Sequence, residues 1–307
     1  MIYTITANPS IDYVLQLKDL TTGKVNRTTS DVKLPGGKGI NVSRILKELN
    51  IDSTALGFVG GSTGEMFKSL LSQHELKTDF TNVHEDTRIN VKINAIEQDE
   101  ETEINGTGPA ISNEEKTSFL KQLESVGTGD VVIMSGSLPK KLPDTFYLDI
   151  AKMIQENGAD FVIDTTGQAL LDTLPLHPLV VKPNHHELAE LFNTTFNSDQ
   201  EIIDHARKLL DKGAKHVLVS MAGDGALLVT KDHAYKANAP KGVVINSVGA
   251  GDSMIAGFAG TFMKNNDPIE SFHIGAACGS ATAFSQDIAV KEKIDEVYKA
   301  ISISELS

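Results

Sequence analysis

Four continuous apolar runs, separated by segments with helical spacing, constrain the fold of this chain more than any other feature. They lie at residues 130–134, 161–164, 179–182 and 216–220. Runs without polar alternation are typical of strands that are covered on both faces. The intervening segments 144–156 and 199–212 carry apolar residues at the spacing of an amphipathic helix. The alternation predicts an α/β fold in which a mainly parallel central sheet is flanked by helices.

The composition excludes several classes of protein. Of the 307 residues, 40% are hydrophobic and 22% are charged, as in ordinary globular proteins. A net charge of −13 argues against partners such as nucleic acid or a membrane surface, and it requires locally placed cations for any anionic substrate. The single cysteine, Cys278, excludes an internal disulfide. Because the chain also lacks a long apolar stretch and a basic, apolar leader, we expect a cytoplasmic protein.

Two polar-alternating regions, residues 11–34 and 87–106, differ from the apolar runs. Within residues 88–94 the apolar residues occupy the odd positions and the polar residues the even ones. This pattern predicts strands with one packed face and one solvated face. Taken alone, it fits an antiparallel edge of the main sheet. Neither a repeat nor a linker divides the chain, so we expect one domain over residues 1–307.

The segment Gly249-Ala250-Gly251-Asp252 stands between two different patterns. The β-branched run at 242–248 predicts a buried strand, and the residues after the segment have helical spacing. Glycines at such a junction let the backbone approach a ligand, and the free amides at a helix N-terminus bind anions. A carboxylate aimed at a bound anion can take the proton of an attacking hydroxyl. Asp252 is therefore either the general base of a phosphoryl transfer or the cap of the helix.

Six motifs in order resemble those of the ribokinase-like (PfkB) carbohydrate kinases. They lie at residues 6–12, 35–42, 87–90, 135–139, 182–187 and 248–253. The resemblance implies a ribokinase-like fold in which segments 11–34 and 87–106 form a small β-sheet lid over the sugar site. It also implies ATP and Mg²⁺ as cofactors, and a homodimer formed through the lid. Within the family the resemblance is greatest to the 1-phosphofructokinases. The turn at 36–39 reads Gly-Gly-Lys-Gly, whereas a glycine replaces the lysine in the minor 6-phosphofructokinases, and the segments 88–91 and 102–106 point the same way.

On the donor side, the resemblance implies that Asp252 is the base and that the backbone of Gly249, Ala250 and Gly251 holds the transferring phosphoryl group. The residues implied to border the nucleotide are Lys182, Asn184, Ser220, Gly223, Gly225, Asn246 and Ser247. Glu187 is implied to organise Mg²⁺ largely through water, which suits an ion that keeps several waters. Spacing alone favours a different role for Asn184 and Glu187, as the capping box of a helix.

On the acceptor side, the residues implied to bind the sugar are Asp12, Gly36, Gly37, Asn41 and Ser137. A phosphorylated sugar also requires cations, and the candidates near these motifs are Lys24, Arg27, Lys38, Arg88 and Lys92. Asn41 could instead cap the helix that follows it, and the alternative for the basic side chains is that they are solvated surface charges. We favour a binding role for Lys38 and Arg88, with Lys24, Arg27 and Lys92 as minor candidates.

We therefore predict ATP-dependent phosphorylation of the 6-hydroxyl of fructose 1-phosphate, which gives fructose 1,6-bisphosphate and ADP. Two alternatives within the same family are tagatose 6-phosphate and fructose 6-phosphate as the acceptor, since tagatose-6-phosphate kinases share the lysine-containing turn. A more distant alternative is a non-catalytic sugar-phosphate sensor on the same fold.

Overall fold

The computed structural model describes residues 1–306, which form strands and helices in alternation. The strands in chain order are β1 (Ile2–Thr6), β2 (Ser10–Leu17), β3 (Ser30–Gly36), β4 (Ser53–Gly60), β5 (Lys77–Thr78), β6 (Thr81–Val83), β7 (Arg88–Ala95), β8 (Glu100–Ile104), β9 (Val131–Ser135), β10 (Asp160–Asp164), β11 (Val217–Ser220), β12 (Ala226–Val229), β13 (Ala234–Ala237) and β14 (Ile303–Glu305). The α-helices are α1 (Lys38–Glu48), α2 (Gly61–Ser72), α3 (Asn113–Gln122), α4 (Phe146–Glu156), α5 (Gly167–Thr173), α6 (His185–Leu191), α7 (Asp199–Asp211), α8 (Ala250–Asn265), α9 (Pro268–Ala283) and α10 (Lys291–Tyr298). Two short 3₁₀ helices cover Leu174–Leu176 and Ala222–Asp224.

The central sheet has the strand order β10-β9-β1-β4-β5, with β6 also paired to β4, and every pairing in it is parallel. The predicted strand at 179–182 is absent as a regular strand. Val180 and Val181 instead form isolated parallel bridges to Val162 and Val217, which connect β10 to β11. Strands β11 to β14 then form an antiparallel sheet. The α/β prediction with a mainly parallel sheet is confirmed.

Apolar helix faces cover both sides of the central sheet. On one side α1, α8 and α9 pack together, and Phe258 and Phe272 are completely buried there. On the other side α3 and α4 contribute Phe119 and Phe146, which pack against Phe58 of β4. Burying both faces explains why the strand sequences are continuously apolar. The carboxyl ends of the parallel strands remain open, and this is the edge where α/β proteins bind ligands.

A separate small sheet (hereafter the small sheet) has the order β3-β2-β7-β8, and among residues 1–306 its strands pair only with one another. The alternative of an edge of the main sheet is therefore wrong. The prediction that the apolar face of β7 is packed and its polar face solvated is also wrong, because the polar face is the more buried one. Asn90 on the polar face is 7% exposed, whereas Ile89 on the apolar face is 40% exposed. The polar face is buried because it lines a deep cleft, which a hydropathy pattern cannot distinguish from solvent.

The predicted strand at 242–248 is a loop. Its apolar side chains are exposed, with Val243 at 79% and Val244 at 65%, and its backbone has no ladder of hydrogen bonds to a neighbouring strand. The amides of Ile245 and Asn246 donate to the carbonyl of Ala283 at the end of α9. Strand propensity depends on a partner edge and a face to pack against, and this segment has neither.

Candidate active site

A cleft of about 1520 Å³ lies between the carboxyl ends of the central strands and the small sheet. The predicted site residues that line it are Asp12, Gly37, Lys38, Asn41, Arg88, Lys92, Ser137, Lys182, Asn184, Glu187, Ser220, Gly223, Gly225, Ser247, Gly249, Ala250, Gly251 and Asp252. Motifs that are up to 240 residues apart in sequence thus meet in one place. Four predicted residues lie outside its lining: Lys24, Arg27, Gly36 and Asn246.

Asp252 is the third residue of α8, and its side chain is 5% exposed. Gly249 occupies the N-cap position, so the interpretation of Asp252 as a helix cap is wrong. The carboxylate accepts a hydrogen bond of 2.9 Å from Nδ2 of Asn41. Burial, together with the negative charge of Asp164, raises the pKa of Asp252 to about 6, although the Asn41 bond and nearby lysines act in the opposite direction. A buried carboxyl with this pKa accepts a proton more readily than an exposed one.

The turn before α8 presents unpaired backbone amides. Gly249 has φ of 80°, which favours glycine, and a Cβ there would lie 2.6 Å from Cδ1 of Ile288. The amide of Ala250 bonds to the carbonyl of Ser247, at 3.2 Å. Within residues 1–306 the amides of Gly249, Gly251 and Asp252 have no protein acceptor. Amides of this kind at a helix N-terminus are available to an anion.

Lys182 lies beside this turn, and the charge of Lys38 also acts on Asp252. A Cβ on Gly251 would be 2.9 Å from Nζ of Lys182, so the lysine amine lies directly against the turn. Nζ of Lys38 is 2.6 Å from Oδ2 of Asp164. Burial tends to lower the pKa of Lys38, but the charge and hydrogen bond of Asp164, with the charges of Asp252 and Glu187, raise the pKa above its usual value, so the side chain stays charged. The site therefore combines free amides with two cations, as a phosphate-binding site requires.

Asp164 is a site residue that the sequence analysis did not identify. Burial tends to raise its pKa, but the charges of Lys182 and Lys38 lower it below its usual range, so it is a carboxylate. It ends β10 and lines the cleft. The sequence pattern that could have identified Asp164 is the one that applies to Ser137. Both are polar residues at or just after the end of a continuous apolar run.

Asn184 and Glu187 form the capping box that their spacing predicts. Oδ1 of Asn184 accepts from the amide of Glu187 at 2.8 Å, and Oε2 of Glu187 accepts from the amide of Asn184 at 2.7 Å. The second carboxylate oxygen of Glu187 has no hydrogen-bond partner among residues 1–306, and the residue lines the cleft. The structural role and a ligand-binding role are therefore compatible.

The end of the cleft that faces the small sheet contains a polar network. Oδ1 of Asp12 accepts from Oγ of Ser10 at 2.7 Å and from Nδ2 of Asn90 at 3.1 Å. Nζ of Lys92 is 3.6 Å from Oδ2 of Asp12 and 3.3 Å from Oε1 of Glu103. Lys92, a minor candidate in the sequence analysis, is therefore held at this end of the cleft.

Arg88, by contrast, uses two of its donors on the backbone. Nε donates to the carbonyl of Asn8 at 3.0 Å, and one terminal nitrogen donates to the carbonyl of Gly106 at 3.1 Å. Only part of its guanidinium remains available to a ligand.

The glycine turn at 36–39 packs tightly against β1 and β2. A Cβ on Gly36 would lie 2.5 Å from Oδ1 of Asp12, and one on Gly37 would lie 2.6 Å from Cγ2 of Thr6. Helix α1 begins at Lys38 with Gly37 as its N-cap, so the interpretation of Asn41 as a cap is wrong. The reason is that the glycine turn ends earlier than the apolar pattern indicated, which places Asn41 one turn inside the helix.

The two glycines of the predicted nucleotide-binding turn, residues 220–225, have different environments. Gly225 has φ of 89°, and a Cβ there would lie 2.1 Å from the carbonyl oxygen of Ala237, so hairpin packing alone requires glycine. A Cβ on Gly223 would meet nothing within 4 Å, which leaves its backbone open to the cleft.

Asn246, which is predicted to border the nucleotide, stabilises its own loop. Its Oδ1 accepts a hydrogen bond from the amide of Val248, and its Nδ2 donates to the carbonyl of Gln286. Cys278 is completely buried, which raises the pKa of its thiol to about 12 and makes it unreactive.

Comparison with known proteins identifies the family. The model of the "pfkB family carbohydrate kinase" matches residues 5–291. The chain belongs to the pfkB family of carbohydrate kinases. Over the full length of both chains it is 48% identical to the 1-phosphofructokinase of Bacillus subtilis and 38% identical to the D-tagatose-1-phosphate kinase of Bacillus licheniformis. It is therefore a sugar-phosphate kinase, for which ATP is the phosphate donor that the family implies.

Solved structures of pfkB kinases and their relatives share the fold. Phosphofructokinase-2 from Escherichia coli, solved in complex with substrates and products, superposes with a TM-score of 0.91 at 28% identity, covering 97% of this chain and 98% of the other. Ribokinase from Arabidopsis thaliana superposes with a TM-score of 0.78 at 18% identity, covering 97% and 98% of the two chains, which confirms the ribokinase-like fold. In the described part of this pfkB kinase, the helices are too short or too polar to cross a membrane.

Proposed function

We propose that this kinase transfers the γ-phosphoryl group of ATP to the 6-hydroxyl of fructose 1-phosphate, giving fructose 1,6-bisphosphate and ADP. The observation that carries the proposal is the buried carboxylate of Asp252, which lies next to unpaired amides at the head of α8 and shares the cleft with Lys38. The 48% identity to a protein named 1-phosphofructokinase supports the choice of acceptor.

The proposed reaction is an in-line displacement at phosphorus. Asp252 takes the proton from the 6-hydroxyl as the oxygen attacks, and the bond between the γ-phosphorus and the bridging oxygen of ATP breaks, so that ADP leaves. Negative charge spreads over the transferring group, and preorganised donors stabilise it without reorganising. The amides of Gly249 and Gly251, with the charge of Lys182, supply that stabilisation. Asn41 orients the carboxylate through its hydrogen bond to Oδ2.

Magnesium fits this site through Glu187. Mg²⁺ keeps several waters and takes few protein carboxylates, and one oxygen of Glu187 is uncommitted at the edge of the cleft. In the part of the chain that the structure describes, no group of three or more His, Cys, Asp or Glu side chains could enclose a metal, which suits an ion shared with phosphates. The ion would supply charge neutralisation of the donor phosphates.

Replacement of Glu187 by glutamine should raise the Mg²⁺ concentration for half-maximal activity by about tenfold or more. Glutamine keeps an oxygen that can accept from the amide of Asn184, so the capping box and the fold remain. Titration of activity with Mg²⁺ measures the effect. The matched control is Glu115→Gln, which changes the same position of the Ser112–Glu115 capping box on α3, outside the cleft. Equal Mg²⁺ requirements for both variants would contradict the assignment.

The acceptor is tested directly by a coupled ADP-release assay with ATP and Mg²⁺. We expect kcat/KM for fructose 1-phosphate to exceed that for fructose 6-phosphate, tagatose 6-phosphate and tagatose 1-phosphate by at least about tenfold, or about 1.4 kcal/mol. A preference for a tagatose phosphate or for fructose 6-phosphate would keep the chemistry and overturn the proposed acceptor. Measurable ATP binding without turnover of any sugar phosphate would favour the sensor.

For the acceptor phosphate, Lys38, Arg88 and Lys92 lie within the cleft. Each already has protein partners, and each keeps further N–H donors with which it could bind a phosphate. Lys24 and Arg27 lie on the exposed loop between β2 and β3, and their role in binding the sugar phosphate stays a prediction.

We further propose that the small sheet acts as the lid and that two copies of the chain associate through its outer face. Ile89 and Ile104 lie on the face turned away from the cleft and are 40% and 58% exposed. Exposed apolar residues on neighbouring strands indicate an interaction surface. Sedimentation equilibrium should give the mass of a dimer for the wild-type protein and of a monomer for Ile104→Glu. A monomeric wild type would contradict this proposal.

A further inference from the structure

Helix α1 presents three polar side chains on one face toward the catalytic end of α8 and the segment that follows α9. Asn41 donates to Asp252, Arg44 pairs with Asp287, and Glu48 accepts from the amide of Lys291 at 2.7 Å. Their spacing of three and four residues places them along one side of the helix. Helix α1 thus holds the catalytic carboxylate directly, and it holds a second segment, residues 287–291, at two further points.

The pair between Arg44 and Asp287 is bidentate. One terminal nitrogen of Arg44 is 3.0 Å from Oδ1 of Asp287 and the other is 2.5 Å from Oδ2, so both carboxylate oxygens are engaged. The Arg44 side chain is only 10% exposed. Burial tends to raise the pKa of Asp287, but the hydrogen bonds and charge of Arg44 lower it below its usual range. Bidentate, charge-assisted pairs of this kind fix geometry as well as adding stability.

Asp287 is followed by the residue that supports the catalytic turn. Ile288 is 9% exposed, and its Cδ1 packs so closely on Gly249 that a Cβ there would overlap it. The next residue, Ala289, donates its amide to Oγ1 of Thr282, which bonds to Oγ of Ser253 at 2.8 Å. The segment 287–289 therefore supports the first turn of α8 both through an apolar contact and through hydrogen bonds.

We infer that Arg44 and Asp287 form a positioning pair that holds Ile288 against Gly249 and so fixes the amides at the head of α8 for phosphoryl transfer. The inference rests on the proposed function of that turn. Among the described residues, neither Arg44 nor Asp287 nor Ile288 lines the cleft, so the pair acts through the turn rather than on the substrates. Small displacements of preorganised groups have large effects on rate.

The kinetic test uses Asp287→Asn, in which an amide NH₂ faces the guanidinium in place of a carboxylate oxygen. We expect kcat to fall about tenfold or more, with the KM values for ATP and sugar phosphate within about twofold of wild type. Arg44→Lys should lower kcat similarly, because lysine cannot form both bonds. The double variant should lose little more than either single one. Asp287→Glu, which keeps the carboxylate, should recover part of the activity.

Lys47→Gln is the matched control, since Lys47 lies on the same helix as Arg44 and its exposed pair with Glu75, which follows α2, is broken. Hydrogen exchange of the free protein gives a second measurement that does not require turnover. The two hydrogen-bonded amides of this turn, those of Ala250 and Ser253, should exchange faster in Asp287→Asn and at the wild-type rate in Lys47→Gln. Unaltered exchange and kcat in a folded Asp287→Asn, or fully additive losses in the double variant, would overturn the inference. If the wild type turned over none of the sugars but the exchange differed as expected, the proposed function would fail and the support of the turn would stand.

Discussion

Replacement of Asp252 by asparagine should lower kcat by about a thousandfold and leave the Kd for ATP within about twofold of wild type. General base catalysis contributes typically 10² to 10⁴ in rate, and asparagine cannot take the proton of the 6-hydroxyl. It has nearly the same shape as aspartate, and its Oδ1 can still accept the hydrogen bond from Asn41. The unpaired amides and Lys182 remain in place, so we expect nucleotide binding to persist.

The coupled ADP-release assay measures kcat, and titration calorimetry measures ATP binding. Asp204→Asn, on the exposed face of α7, is the control for replacing a carboxylate away from the cleft and should retain wild-type kcat. Turnover near the wild-type value in Asp252→Asn would remove the base assignment and leave Asp252 as a structural residue.

The raised pKa of Asp252 makes two further consequences measurable. Since the base must be ionised, kcat/KM of the wild type should decline as the pH falls through about 6. Stability changes in the opposite sense. The folded-state pKa of Asp252 lies above the ordinary aspartate value of 3.8, so the folded state favours the protonated carboxyl. The contribution of this carboxyl to stability is therefore complete below pH 3.8 and is lost as the pH rises through about 6. Ionised Asp252 then costs on the order of 3 kcal/mol, so Asp252→Asn should raise Tm at pH 8 and not at pH 4.

Much of the fold could be predicted from local pattern because the central strands are buried on both faces. A continuously apolar run such as 130–134 is stable only where both of its faces are buried. It forms β9 within one residue of its predicted bounds. The sites at the carboxyl ends follow from the same rule, since parallel strands bring their ends to one edge. Asp252, Lys38 and Asn184 meet in the cleft for this reason.

Local pattern failed where the partner is distant or absent. The run at 242–248 has strand-like residues without a strand to pair with, and the even positions of β7 face a cleft rather than solvent. Arg44 and Asp287 are 243 residues apart, and Lys38 and Asp164 are 126 apart. Propensity and spacing hold no information about such pairs. Only the folded structure, in which α1 lies beside the ends of β10 and α9, identifies these pairs.

Replacement of Gly249 by alanine is the second change for which we expect a large loss, about a hundredfold in kcat. Two effects combine at this position. An L-residue at φ of 80° costs roughly 1–2 kcal/mol, and the new Cβ would overlap Cδ1 of Ile288. The overlap must displace either the isoleucine or the turn, and the turn carries the amides proposed to stabilise the transferring group. Loss of one such donor costs about 2.7–4 kcal/mol in the transition state.

A second glycine separates the two effects. Gly129 has φ of 88°, and a Cβ there would meet nothing within 4 Å, so Gly129→Ala adds backbone strain without a clash. Thermal unfolding should show a loss of stability in both variants, whereas the coupled assay should show a loss of kcat only in Gly249→Ala. Ile288→Val removes the overlapping Cδ1 at a cost of about 0.5–1.5 kcal/mol, and combined with Gly249→Ala it should restore part of kcat. Equal kcat in the two glycine variants would show that the position of this turn does not limit the reaction.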